Sequence, residues 1–431
     1  MLLPRRSTLA ALLLAAGSAL APAWAADTTV RLVHPDNDPK VAAFFNESAR
    51  RFEALRPGVK VSIQYLEGES YKKKLTTLLQ SPDKPHIIYS WGGGVMRDQI
   101  KAGVIQDLTP DMKKVDGKAD IKTAWQDRFL PSALRGYSVD GKVWGVPFQA
   151  TQVGIWFNKD LLAKAGVDAN AIKTWDDLLA ATTKLKAAGI TPFSVGGADK
   201  WPVHYFWAML AMRLGGADAL ATAQRGEAKG FEGETFVRSA ELFRQLGDQK
   251  PFQGGFQGAS FFQSVGAFGD GKAAMMLMVD NVPNAMPPNS ADKQGVPLDK
   301  LGWMPFPLVK GGKGQVTDTM GGMNGFLVTH GAPKEAVDFL RYFSDAQNQR
   351  LAAQAGAFIP VVAGTQDALK DSFMRLHADV LAKSSAHQLY FDQELGASAG
   401  AVIKDLSVDL ATGRQTPAAA AAALQRAWKP R

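Results

Sequence analysis

The sequence predicts an α/β protein built as two lobes, each a mainly parallel sheet flanked by helices. Three observations lead to that class. The chain, at 431 residues, exceeds what one hydrophobic core usually organises. Residues 28–89 read strand, helix, strand, helix, strand, an order that makes a parallel sheet with helices on its faces. Within residues 141–193 two β-type runs, 142–148 and 153–157, are separated by four residues and lead directly into a capped helix.

The elements follow in chain order. Arg5 and Arg6, an apolar run over 9–16 and the small-x-small triplet Ala23-Trp24-Ala25 predict an export signal over residues 1–25, cleaved before Ala26, with general secretion preferred to twin-arginine export. Residues 28–33 are the first strand. Phe44, Phe45, Phe52 and Leu55 share one face of a helix over 41–55, stopped by Pro57-Gly58. Residues 59–65 alternate as a second strand, Tyr71, Leu75, Leu78 and Leu79 keep helical spacing, and residues 87–89 make a third strand. Ser90-Trp91-Gly92-Gly93-Gly94 lies at that strand's carboxyl end, where α/β sheets bind ligands.

Further on, Thr174 caps a helix with Asp177 three residues later, and Gly189 stops it. Residues 198–202 read as a loop before a helix over 203–214, and another helix spans 236–246. Strands are expected at 272–279 and 301–306, and again after Gly321-Gly322-Met323-Asn324. Pro333 opens a helix with Val337, Leu340 and Phe343 buried, and the tail is mainly helical, including 417–424.

Composition narrows the function. There is no cysteine, which removes disulfides, thiolate metal sites, a cysteine nucleophile and a lipid-modified cysteine anchor. The net charge of +8 is mild for this length, with both signs interspersed, and points away from nucleic acid. Lys72-Lys73-Lys74 reads as a solvated helix face, and the six histidines stand singly, so neither a metal site nor a cofactor is expected. After residue 25 no apolar run reaches the roughly 18 residues of a membrane span. Gly-x-Ser-x-Gly and His-Glu-x-x-His motifs are missing, and Gly92-Gly93-Gly94 lacks the Gly-Lys-Ser/Thr ending of a nucleotide loop.

Several segments arrive in a characteristic order: Tyr71-Lys72-Lys73-Lys74-Leu75, Ser90-Trp91-Gly92-Gly93, Ala102-Gly103-Val104-Ile105-Gln106-Asp107-Leu108-Thr109, the 141–193 segment, Gly196-Gly197-Ala198-Asp199-Lys200-Trp201-Pro202, and Phe268-Gly269-Asp270-Gly271-Lys272-Ala273-Ala274-Met275. Together they resemble the extracellular solute-binding proteins of family 1, the sugar-binding components of ABC importers related to maltose-binding protein. The resemblance implies a type II periplasmic-binding-protein fold with hinge crossings at 148–151, 321–324 and 359–360. It places residues 26–148 and 324–360 in one lobe and 149–323 and 361–431 in the other. It implies a monomeric periplasmic receptor, not an enzyme, that closes on a mono- or oligosaccharide and docks transiently on membrane permease subunits. Asp280-Asn281-Val282-Pro283 departs from the pattern, because many relatives carry a Gly and a Trp there. A receptor for a glycerol-phosphate-type polyol and a secreted glycoside-acting enzyme are the alternatives.

A sugar needs flat aromatic faces for its C–H surfaces and directional polar groups for its hydroxyls. Trp201, in a Gly-rich loop beside Pro202, leads the candidates, flanked by Asp199, Lys200 and His204. Trp91 follows at the third strand's end. Phe148, Gln149 and Thr151 occupy the first crossing, and Gly322 and Met323 the second. His34 and Asp36 follow the first strand, Glu67 the second, and Asp280 ends a strand of the second lobe. Trp125, Trp144, Trp156, Trp175, Trp207 and Trp303 have the phase of core residues.

Overall fold

The computed structural model describes residues 28–115 and 123–429; the export signal read over 1–25 lies outside them. Strand β1 (Thr28–His34) pairs in parallel with β2 (Val59–Tyr65) and β3 (Ile87–Ser90). Helices α1 (Pro39–Leu55) and α2 (Gly68–Gln80) make the crossovers. Three more strands complete a six-stranded sheet: Met323–Val328 lies antiparallel beside β3, Gly145–Ala150 beside that, and Ile359–Pro360 at the edge. These last three are the expected crossings, brought side by side.

An aromatic cluster fills this lobe. Phe148 stacks on Phe326 with centroids 4.9 Å apart, and Phe45, Phe343 and Phe358 pack edge-on around them. Aromatic side chains carry the largest burial per residue, so this cluster pins the crossings to the lobe.

The second lobe has its own core, drawn from residues 153–320 and 390–428. Its three-stranded sheet has Val153–Asn158 in the centre, flanked by Met275–Val279 and Leu301–Met304, and both pairings are antiparallel. The expected mainly parallel sheet therefore holds for β1–β3 and not here. The central strand leaves the crossing and both neighbours run back towards it, which forces opposite directions; parallel pairing survives in the bridges of Phe193 with Phe252 and Met275.

Local signals act as their chemistry requires. Thr174 and Asp177 form a reciprocal capping box at the start of the Trp175–Ala187 helix. The Met275–Val279 strand begins later than expected because Lys272 N–H bonds back to Ala267 C=O, closing the preceding helix. The Trp201–Gly215 helix starts two residues earlier than expected, since proline fits the first turn, where its missing N–H costs nothing. Trp125, Trp156, Trp175 and Trp207 are fully buried, while Trp144 and Trp303 are half-buried.

Candidate functional site

The loops at the carboxyl ends of β1, β2 and β3 form one wall of a cleft between the lobes. Asp36 and Asn37 come from the first, Glu67 and Gly68 from the second, Trp91 from the third. Each is held by local structure. Asp38 caps α1 by accepting from Lys40 N–H at 2.8 Å and Val41 N–H at 3.3 Å, with Pro39 opening the helix. Glu67 caps α2 through Glu69 and Ser70 N–H. Gly92, at φ +76°, turns the chain after Trp91, and a Cβ there would meet Gly136 O at 2.8 Å.

The opposite wall is aromatic. Trp201, the first helical residue after the loop, packs edge-on against Tyr205 and tilted against Phe261, and Tyr205 stacks on Tyr390 at 5.4 Å. Asp199 is fixed by accepting from Phe261 N–H at 2.6 Å. Phe262, Val279, Asn281, Asp392 and Gln393 complete the wall.

The crossings make the floor. Gln149 accepts from Asn324 Nδ2 at 3.0 Å, and Thr151 Oγ1 lies 2.7 Å from the Tyr390 hydroxyl while accepting from Gly322 N–H. Strand side chains alternate between faces. Gln149, Thr151 and Asn324 therefore line the cleft of about 170 Å³, whereas Ala150 and Met323 line a separate cavity of about 1050 Å³ behind the crossings. Trp91 borders both.

The structure thus brings Trp201, Trp91, Asp199, Gln149, Thr151, Asp36 and Glu67 to one cleft, and it corrects the other seven candidates. Phe148 is buried in the first lobe's core. Met323 faces the cavity behind, one residue out of phase with Asn324. Gly322 lies under Tyr390 and Thr151, close enough that a Cβ would meet Asn324 Oδ1 at 2.6 Å. Lys200 is exposed at φ +63° and pairs with Asp405 at 2.5 Å, so the turn that delivers Trp201 sends it to solvent. His204, one helical turn after Trp201, is fully buried and donates from Nδ1 to Trp201 C=O at 2.6 Å. His34 is buried against Phe45 and Tyr65. Asp280 sits behind the wall, between Val279 and Asn281.

Sequence reasoning missed Asn37, Tyr89, Tyr205, Phe261, Phe262, Asn281, Asn324, Tyr390, Asp392 and Gln393. Asn324 was readable from strand alternation; the 390–393 segment arrives from far along the chain and carried no local signal. Lys72 also differs from expectation. Lys73 and Lys74 are exposed, but Lys72 lines the cleft, 2.9 Å from Glu69, 3.9 Å from Asp392 and 5.2 Å from the Trp91 ring centre.

The electrostatics divide in two. Burial would raise Asp392, but His204, Lys72 and Lys404 outweigh it and hold its carboxyl below the ordinary range. Asp36 and Asp280 behave oppositely. Burial, with Asp38 nearby, pushes Asp36 up to about 7, and burial with Asp38 and Asp36 does the same to Asp280. No group of His, Asp or Glu among the described residues has the arrangement to hold a metal ion.

Two α/β lobes joined by three adjacent strands, with an aromatic and polar cleft walled by both, define a two-lobed solute-binding protein. Solved structures share that fold. A chitin oligosaccharide binding protein superposes with a TM-score of 0.81 at 24% identity, covering 93% of this chain and 98% of its own. A protein studied for xylan utilisation in Caldanaerobius polysaccharolyticus gives 0.82 at 23% identity, covering 92% and 99%. The chain belongs to the bacterial extracellular solute-binding protein family, whose model matches residues 36–350. Among curated relatives, the multiple sugar-binding protein of Streptococcus mutans is 27% identical over 63% of this chain and 61% of its own length. An uncharacterised ABC transporter extracellular-binding protein of Pyrococcus horikoshii is 30% identical over 42% and 40%. The match thus spans less than two thirds of these relatives. No helix among the described residues is long and apolar enough to cross a membrane.

Proposed function

We propose that the chain is the substrate-binding component of an ABC importer, capturing a carbohydrate between its lobes outside the cytoplasm and passing it to membrane permease subunits. The observation that carries this reading is the cleft itself. Trp91 from one lobe and Trp201, Tyr205 and Tyr390 from the other offer ring faces, while Gln149, Asn324, Asn37 and Asp199 offer directional polar groups. The names of sugar-binding relatives support it. The cleft, at about 170 Å³, is below the roughly 300 Å³ at which drug-sized sites begin. Lys72 is the one cation among the described lining residues, and it is already paired, which disfavours a phosphorylated polyol.

The lobes move as bodies about the three crossings. A ligand touching both binds the closed form better and shifts the population towards it. The monomer supplies capture and specificity, and no catalysis.

Small-angle scattering and thermal melts with a sugar panel test this. A binding sugar raises the melting temperature and lowers the radius of gyration. A stabilising sugar that leaves the radius unchanged removes the closure model.

A further inference from the structure

The lobes also meet beyond the cleft, along a line that passes Trp91. Helix α3 (Gly93–Lys101) places Met96 in the first lobe's core, and Phe391, Leu395, Ala399 and Ile403 belong to the second's. The two pieces touch backbone to backbone. A Cβ on Gly94 would come within 2.7 Å of Gly396 N and closer still to Glu394 O, and one on Gly93 would lie 3.2 Å from Gln393 O. Glycine inside a helix gives up stability relative to alanine. At Gly94 it admits the other lobe's chain. Arg97 of α3 pairs with the Glu394 carboxylate at 2.5 Å and donates to the Glu394 carbonyl oxygen at 3.2 Å.

Lys404 lies two turns further along the Gly396–Thr412 helix, about 12 Å from Gly396 at roughly 1.5 Å per residue. There it pairs with Glu69 of α2 at 3.5 Å, Glu69 with Lys72 at 2.9 Å, and Lys72 with Asp392 at 3.9 Å. Tyr71 and Leu75 root α2 in the first lobe's core, so this chain of alternating charge crosses between the lobes twice. Its four side chains are only 5% to 24% exposed. Fully exposed ion pairs contribute little, whereas sheltered ones attract more strongly and are screened less by salt.

Position decides how each contact responds to motion. Gly93, Arg97 and Glu394 border the cavity behind the crossings, and Lys72 and Asp392 border the cleft. The glycine contact therefore lies between the two, beside the crossings, where rotation of the lobes displaces atoms least. Lys404 and Glu69 stand a lever arm away, outside the cleft's lining, so opening the lobes parts them while no ligand in the cleft touches them.

Resting on the closure reading above, we propose that the Gly94–Gly396 contact is a fourth, non-covalent pivot of the hinge, and that Lys404, Glu69, Lys72 and Asp392 form an ionic latch made on closing. The latch favours the closed form by the same factor whatever the cleft holds. Specificity then resides in the cleft, and part of the affinity resides in the latch.

Calorimetric titration of the full chain with uncharged sugars at low and high sodium chloride tests this, because any salt effect then belongs to the protein. The panel is glucose, galactose, cellobiose, xylobiose, raffinose and the N-acetylglucosamine dimer. Lys404→Gln should weaken every sugar that binds by about three- to tenfold, with one factor common to all. Wild-type affinity should fall as salt rises, and the fall should be smaller in Lys404→Gln. Lys404→Arg keeps the charge and should restore both properties. Adding Glu69→Gln to Lys404→Gln should cost less than the sum of the two single losses. An unchanged Kd in Lys404→Gln would mean that the pair persists in the open form, and losses that differ between sugars would trace the effect to the cleft; either overturns the latch and leaves carbohydrate capture standing. If no sugar binds, the carbohydrate reading falls, and small-angle scattering of the sugar-free chain decides the latch. Lys404→Gln should then have a larger radius of gyration than the wild type at low salt, and equal radii overturn the proposal.

Discussion

Trp201 shows how one residue joins the local code to the site. Proline at the next position sets the start of the helix, the left-handed Lys200 turns its own side chain outward, and the indole is left facing the cleft beside Tyr205 and Phe261. Trp201→Ala should weaken sugar binding by more than about tenfold, the loss of one well-packed aromatic anchor, with an unchanged circular-dichroism spectrum. The carboxylates at the seam make a prediction about stability and pH. A carboxyl raised to about 7 in the folded state and near 4 when unfolded binds more protons folded than unfolded between those values, so its contribution falls as pH rises through that window. His34, His377 and His387, lowered by burial to about 4, 3 and 4, act in the opposite sense below their unfolded pKa, so the total slope mixes both. The difference isolates one group. Asp280→Asn should gain stability over the wild type progressively from acid to neutral pH in urea melts, and a gap independent of pH would show that no charge is buried there. Tryptophans near special turns were readable at this scale. Which carboxylates burial raises was not, because that depends on neighbours far along the chain.

The elements repeat the contrast. The capping box at Thr174 was legible because it is written in four consecutive residues, and Thr174→Ala should cost about 1 kcal/mol by denaturant unfolding. The crossings are legible as a group, but which face each residue takes is not: Met323 faces the cavity behind, and Asn324, its neighbour on the other face, lines the cleft. Their close packing also has a measurable consequence. A Cβ on Gly321 would lie 1.9 Å from Thr151 O, within a pair of crossing strands. Gly321→Ala should therefore destabilise by about 1–3 kcal/mol as the strands are pushed apart. Full stability in the variant would mean that the crossing is slack. The antiparallel sheet of the second lobe was missed for a related reason, since alternation in a strand reports which faces are buried and not which way the neighbour runs.

For the whole molecule, affinity includes contacts that never touch ligand. Asn284, in the second lobe, donates to Gly356 C=O of the first at 3.1 Å. Asn284→Ala removes a bond across the seam worth about 0.5–1.5 kcal/mol, so sugar affinity should drop by about two- to tenfold. Scattering should then show a more open population at half-saturating sugar. An unchanged Kd would assign that bond to both states. The sequence by itself determined the α/β class, the two cores, the three crossings and the aromatic loop at Trp201, because periodicity, caps and turn residues act over a few positions. Only the tertiary structure decided that Tyr390, Asp392 and Asn281 share a cleft with Asp36 and Lys72, and that Asp36 and Asp280 are raised by burial. Those contacts join segments hundreds of residues apart, and burial and charge acquire their energies only once such segments are packed together.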